Sequence, residues 1–163
     1  VSTLDIFDFD WTLFRSPHPS GTPDKTWWAS EDSLLPPNVP LLAPSVFWID
    51  GVVREMRSSQ RSPSSMTVVI TARRAKTKQR ILSLLGQKML RPEEFYCRSA
   101  SFAKDKSSVG FKRLTVAKIL ERRPDIKKVV VWEDTKEQIE GIKDLSKRRG
   151  VGFEGHLVSE HPR

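Results

Sequence analysis

The sequence predicts an α/β fold, a three-layer α/β/α sandwich around a mostly parallel sheet, with a small Pro/Trp-rich insertion after the first strand. Three observations predict it. Short apolar runs recur at Val1–Phe9, Met66–Ile70 and Lys128–Trp132, the last two rich in β-branched residues. Segments with apolar residues at helical spacing separate them. Prolines and glycines fall between these segments, where elements end. Strands alternating with amphipathic helices imply right-handed βαβ crossovers, which cover a parallel sheet on both faces.

In Val1–Phe9, Leu4, Ile6, Phe7 and Phe9 bring apolar bulk and Asp8 interrupts it. Ser16–Pro44 then holds seven of the chain's eleven prolines together with Trp27 and Trp28. That proline density forbids a continuous helix or central strand, and a connection so long is expected to be a lid or a binding loop. The Trp pair argues against plain disorder.

A helix is expected from Ser45, with Val46, Ile49, Val53 and Met56 in register, then a polar loop over Ser58–Ser65. The strand Met66–Ile70 follows. Residues 75–86 form an amphipathic helix with Ile81, Leu82 and Leu85 on one face and Gly86 at its end. Glu94–Arg98 reads as a short strand, and a polar loop runs on to Gly110. Residues 113–122 are helical, with Leu114, Ala117 and Leu120 facing inward, and Pro124 stops them. After Lys128–Trp132, a helix over Thr135–Arg149 carries Ile139, Ile142 and Leu145. Thr135 and Gln138 fit a capping box, and Gly150 ends the helix. Phe153–Val158 adds a last strand. The whole reads as a single domain over 1–163, with 16–65 as a lid or flap region and a Rossmann-like sheet.

Composition narrows the function classes. At 37% hydrophobic and 29% charged residues, the chain is an ordinary globular sequence. It has no apolar run of about 18 residues and no secretory leader pattern, so an intracellular protein without a membrane partner is expected. Cys97 is the only cysteine, which rules out an internal disulfide or a multi-cysteine zinc site. The three histidines, His18, His156 and His161, lack metal-ligand spacing and receive no role. A net charge of +8 attracts polyanions, so nucleic acid is an expected partner. The opening at Val1, almost directly into a strand, fits a segment cut from a longer protein.

Ligands of such sheets bind beyond the carboxyl ends of the strands. Polar residues gather there: Asp8-Phe9-Asp10-Trp11-Thr12, then Thr71-Ala72-Arg73, then Glu133-Asp134, with Lys112 before a helix. Burying them without partners is costly, and a metal ion with a phosphate would satisfy them together. Asp8 and Asp10 point the same way along a strand. Paired carboxylates repel unless a cation or a proton intervenes. Mg²⁺ suits such an all-oxygen site, with Asp134 completing the acidic cluster.

These residues resemble the motifs of the haloacid-dehalogenase (HAD) superfamily. Asp8-Phe9-Asp10-Trp11-Thr12 is similar to its first motif, Asp-x-Asp-x-Thr after an apolar strand. Val68–Arg73 resembles the second, an apolar strand ending in Thr or Ser. Phe111-Lys112 is similar to the third, a lone lysine. Val129–Asp134 resembles the fourth, an apolar strand ending in acids. The four occur in the family's order. More narrowly, Phe-Asp-Trp-Thr-Leu-Phe, the Trp-Trp pair, Thr-Ala-Arg-Arg, Phe-Lys and Trp-Glu-Asp resemble the HAD domain of Swiss Army Knife RNA repair proteins. The position after Asp134, Arg in those relatives, is Thr135 here, and no role is carried over to it.

The resemblance implies a phosphoric monoester hydrolase. Asp8 would be the nucleophile that forms an aspartyl-phosphate. Asp10 would protonate the leaving oxygen and deprotonate the attacking water. Asp8, the Asp10 backbone carbonyl and Asp134 would hold Mg²⁺. Thr71 and Lys112 would contact the phosphoryl group, and Thr12 belongs to the same motif, on the substrate side. Glu133 reads as an orienting group, an outer metal ligand or a solvated acid. Arg73 and Arg74 suit either a grip on a neighbouring phosphate or plain surface charge. Trp27 and Trp28 suit stacking on a nucleobase, a lid, or packing under the proline-rich loop. The substrate is expected to be a terminal phosphate of a polynucleotide, with other domains of a repair protein as partners. The alternatives are a phosphoprotein or small-metabolite phosphatase, or an inactive basic module that binds nucleic acid.

Overall fold

The computed structural model describes residues 1–17, 25–98 and 107–161. The predicted loop after Arg98 lies mostly outside them, as do His18 and part of the proline-rich segment. Five strands form one sheet in the order β3-β2-β1-β4-β5. They are β1 (Thr3–Phe7), β2 (Ser65–Arg74), β3 (Glu94–Arg98), β4 (Lys128–Glu133) and β5 (Gly152–Leu157). Every pairing is parallel. The helices are α1 (Lys25–Ala29), α2 (Asp50–Arg61), α3 (Lys78–Gln87), α4 (Ser108–Arg122) and α5 (Lys136–Arg148). Among the described residues, no helix is long and apolar enough to cross a membrane.

Strand alternation builds two cores. Phe7, Val69, Val130 and Trp132 face α2 and α3, joined by Met56, Ile81, Leu84 and Leu85. Leu4, Ile6, Val68, Ile70, Val129 and Val131 face α4 and α5, joined by Val116, Ile119 and Ile142. The fully buried aliphatic side chains among them, such as Leu4 and Val68, contribute about 1.5–3 kcal/mol each over exposure. Asp5 and Thr67 are buried polar residues within the strands, while the catalytic candidates sit at the carboxyl end of the sheet.

Several boundaries differ from the sequence reading. Ser45–Phe47 is a 3₁₀ turn and α2 starts at Asp50, so Val46 is exposed rather than in the buried stripe. That helix runs through Arg61, into the stretch read as loop, and its Val52, Val53 and Met56 pack inward. The end of α3 is turned by Met89, at φ 57°, rather than by Gly86. Leu114 is exposed, because Phe111, Val116, Ile119 and Leu120 set the buried face of α4. The Thr135–Gln138 capping box does not form. The Gln138 amide instead donates to Ser108 Oγ at 2.9 Å, tying α5 to α4. These two helices also meet at Gly141, where an added Cβ would lie 2.8 Å from Val109. Gly150, at φ 70°, terminates α5 as expected.

Candidate active site

Register brings the motif residues to one edge. Phe7 pairs with Val69 on one side and Trp132 on the other. The next residues, Asp8, Ile70 and Glu133, are therefore level across three adjacent strands. The Asp8 N–H still donates to the Trp132 carbonyl at 3.1 Å. Beyond it the chain folds back in one tight turn, in which the Phe9 carbonyl accepts from the N–H groups of Thr12, Leu13 and Phe14 at 3.0–3.3 Å. That turn holds Trp11 at φ 60°, a left-handed conformation costing a non-glycine residue about 1–2 kcal/mol. Its N–H donates to the Phe14 carbonyl at 2.7 Å, which helps to hold it there.

Asp8 is buried and surrounded. Lys112 Nζ donates to one carboxylate oxygen at 2.9 Å, and Thr12 Oγ1 donates to the other at 3.0 Å. The same ammonium also reaches Glu133. Lys112 lies inside α4 rather than ahead of it, because Ser107 caps the helix by accepting from the Gly110 N–H at 3.1 Å. Burial, reinforced by Glu133 and Asp10 and opposed by Lys112, pushes the Asp8 carboxyl up to about 7. Burial also raises the carboxyls of Glu133 and Asp134. It works against the charged form of Lys112, but Asp8 and Glu133 outweigh it and hold the ammonium above its ordinary range.

Asp8, Glu133 and Asp134 bring carboxylate oxygens within 4.8 Å of one another. All three carboxyls are held above their ordinary range, an excess of buried negative charge that a divalent cation would relieve. The donor set is all oxygen, as Mg²⁺ prefers. The residues present therefore fit the cation. Asp134 also pairs with His161, whose Nε2 lies 2.5 Å from Asp134 Oδ2. The Glu133 carboxylate accepts from the Asp134 N–H at 3.0 Å, which fixes its second oxygen.

The Asp10 side chain stands outside this trio. Arg73 Nε donates to both of its oxygens at 3.0 and 2.9 Å, Arg73 Nη2 donates at 2.9 Å, and Ser16 Oγ donates at 2.6 Å. Arg73 is wholly buried. Its remaining nitrogen donates to the Trp28 carbonyl and to Ser33 Oγ, each at 2.7 Å, and its guanidinium lies 4.3 Å over the Trp28 ring. Arg73 thus joins Asp10 to the insertion rather than facing outward. Arg74 is exposed at the end of β2. Thr71 is buried, and its hydroxyl accepts from the Arg73 N–H at 3.2 Å. The Trp27 carbonyl accepts from Ser30 Oγ at 2.6 Å, closing the turn after α1.

Of the residues singled out from the sequence, Asp8, Thr12, Lys112, Glu133 and Asp134 meet around one carboxylate cluster. Asp10, Arg73 and Trp28 meet beside it. Trp27 closes the turn after α1 through its carbonyl, and Arg74 is exposed. Sequence reasoning missed Ser16, Ser33 and His161. For the serines, a polar residue buried within the insertion would have been the only signal. His161 lies 27 positions from Asp134, and no spacing rule reaches that far.

Comparison with known proteins agrees with this fold. The family described as HAD domain family 1 in Swiss Army Knife RNA repair proteins matches residues 18–150. No curated protein matches the sequence. Among solved structures, a chain of the Pnkp1/Rnl/Hen1 complex is similar at TM-score 0.60 and 10% identity, over 99% of this chain and 48% of that one. This chain thus spans about half the length of that relative. The HAD domain of effector protein Lem4 from Legionella pneumophila, an inactive mutant, is similar at TM-score 0.62 and 11% identity, over 99% of this chain and 88% of that one. At such identities the likeness is one of fold. The match over most of the chain shows its family: it belongs to HAD domain family 1 of Swiss Army Knife RNA repair proteins.

Proposed function

We propose that this chain is a Mg²⁺-dependent phosphoric monoester hydrolase that works through an aspartyl-phosphate on Asp8 and removes terminal phosphates from polynucleotides. The observation that carries the reading is the convergence on Asp8. Lys112 and Thr12 donate to its carboxylate, and Glu133 and Asp134 crowd it with negative charge. A buried carboxylate so placed, at the end of a central strand, has little structural use.

In this reading an Asp8 oxygen attacks phosphorus, and the bond from phosphorus to the ester oxygen breaks. Asp10 gives its proton to the departing oxygen. Asp10 then takes a proton from water, the water oxygen attacks the same phosphorus, and inorganic phosphate leaves with Asp8 regenerated. Lys112 and Thr71 balance charge on the phosphoryl oxygens. Arg73 and Ser16 occupy both Asp10 oxygens in the structure, so in this reading their contact opens before Asp10 gives or takes a proton. Asp8, Asp134 and the Asp10 backbone carbonyl would hold Mg²⁺, with Glu133 beside them. When bound, the cation neutralises charge on the transferring phosphoryl group.

Residues 1–163 act as one domain in this account, and the span 16–65 supplies the flap through α1 and the turn after it. The polynucleotide substrate is supported by the family, by the net charge of +8 and by likeness to a chain of an RNA repair complex. The test is phosphate release with Mg²⁺ from 3′- and 5′-phosphorylated oligonucleotides, nucleotides, phosphopeptides and sugar phosphates. Preference for an oligonucleotide is the expected result. Preference for sugar phosphates would overturn the substrate and keep the chemistry. Release that survives Asp8→Asn would overturn the chemistry.

A further inference from the structure

In Asp8-Phe9-Asp10-Trp11-Thr12 the proposed chemistry leaves Phe9 and Trp11 unused, and only Phe9 belongs to the core. The turn nevertheless holds the bulky Trp11 in a strained backbone conformation, at φ 60°. The strain has a geometric result. The indole, only partly buried, lies against the His161 ring with centroids 4.9 Å apart and planes 24° from parallel. The exposed His161 is in turn tied to Asp134, whose carboxylate shares the cluster with Asp8. Two stacked aromatic rings therefore stand one residue from the proposed acid–base group and one hydrogen bond from a proposed cation ligand.

A second stacked pair serves as a contrast. Trp132 and His156 lie 4.8 Å apart, but Trp132 also stacks on Phe7 at 4.5 Å and belongs to the core. That pair has an obvious packing use. The Trp11–His161 pair belongs to neither core cluster.

We propose that Trp11 and His161 form a stacking ledge for the nucleobase of the nucleotide that carries the scissile phosphate. A flat ledge beside a phosphate site grips any base by its π-face and reads no hydrogen-bonding edge. It would make the enzyme selective for a base-bearing terminus without sequence preference. The inference rests on the polynucleotide reading above and specifies how the substrate is held.

The test compares kcat/KM for two single-stranded oligonucleotides phosphorylated at the terminus the wild type prefers. One ends in an ordinary nucleotide, and the other ends in the same nucleotide made abasic. The wild type is expected to prefer the base-bearing end by on the order of tenfold. Trp11→Ala should erase that preference while leaving the abasic substrate within about twofold, and His161→Ala should lower the preference itself. Trp11→Phe and His161→Phe should restore most of it, and His156→Ala should leave it intact. Circular dichroism and thermal melts confirm that each variant is folded, and turnover of the abasic substrate confirms that its chemistry is whole.

Equal wild-type rates on the two oligonucleotides would overturn the ledge while the proposed function stands. So would losses in His161→Ala that fall on both substrates alike and are not recovered by His161→Phe. That pattern would assign His161 to holding Asp134. If the wild type hydrolyses neither oligonucleotide, the polynucleotide reading falls and the ledge falls with it. A phosphotyrosine peptide that outpaces both and depends on Trp11 would assign the stack to a phenol ring and overturn the nucleobase.

Discussion

Asp8 and Asp10 are two residues apart in the same motif, yet their surroundings are opposite. Asp8 shares a lysine with Glu133 inside an acidic cluster, and its carboxyl is pushed up to about 7. Asp10 has an arginine to itself, in a forked contact that occupies both oxygens, and that arginine reaches on into the insertion. The first arrangement leaves negative charge that a cation would balance. The second is balanced within the protein and needs none. A side chain's partners, more than its place in a motif, decide whether its charge is balanced within the protein or left for a ligand to balance.

The largest expected effect breaks the Asp8 half. Asp8→Asn should lower phosphate release by about 10³-fold or more, since the proposed nucleophile is gone. Its thermal midpoint should stay close to that of the parent, because one buried negative charge among three has been removed. Steady-state kinetics and a melt on the same preparation check both statements.

The next breaks the Asp10 half. Arg73→Ala leaves a buried carboxylate without its partner and frees the insertion from the sheet edge. A loss of about 3–5 kcal/mol in urea unfolding is expected, the usual result of breaking one side of a buried pair. Arg73→Lys should recover only part of it, since an ammonium cannot reproduce the fork.

A third prediction separates the halves by pH. The folded Asp8 carboxyl titrates near 7, against about 4 for an unfolded aspartate. Between those values the folded state holds a proton that the unfolded state has released. Stability of the metal-free protein should therefore fall as pH rises from about 4 to about 7. The raised carboxyls of Glu133 and Asp134 act in the same direction. Saturating Mg²⁺ should flatten the slope, which melts across pH with and without the cation would measure. The smallest effect is Thr12→Val, which removes one neutral donor from Asp8. A stability change of about 1 kcal/mol is expected in urea unfolding, with the pH dependence retained.

The sheet was legible because β-branched runs such as Val129–Val131 bury on both faces and leave few other readings. The acids at the strand ends were legible for the converse reason, since nothing apolar explains Asp8. Other features depend on contacts that no local pattern encodes. Arg73 reads as surface charge or a phosphate grip until β2 carries it under Trp28. Lys112 reads as preceding its helix because Gly110 looks like loop, and only the Ser107 cap moves the start back. Gln138 looks like a capping partner for Thr135, but a tertiary contact with Ser108 outcompetes it. His161 acquires Asp134 and Trp11 as neighbours only when the chain leaving β5 returns to the sheet edge.

The central claim is that Asp8 itself becomes phosphorylated. Rapid acid quenching with a ³²P-labelled terminal phosphate and Mg²⁺, followed by proteolysis, tests it most directly. The account predicts transient, hydroxylamine-labile label on the peptide containing Asp8, and none in Asp8→Asn. Label on another residue, or full turnover by Asp8→Asn, would contradict it.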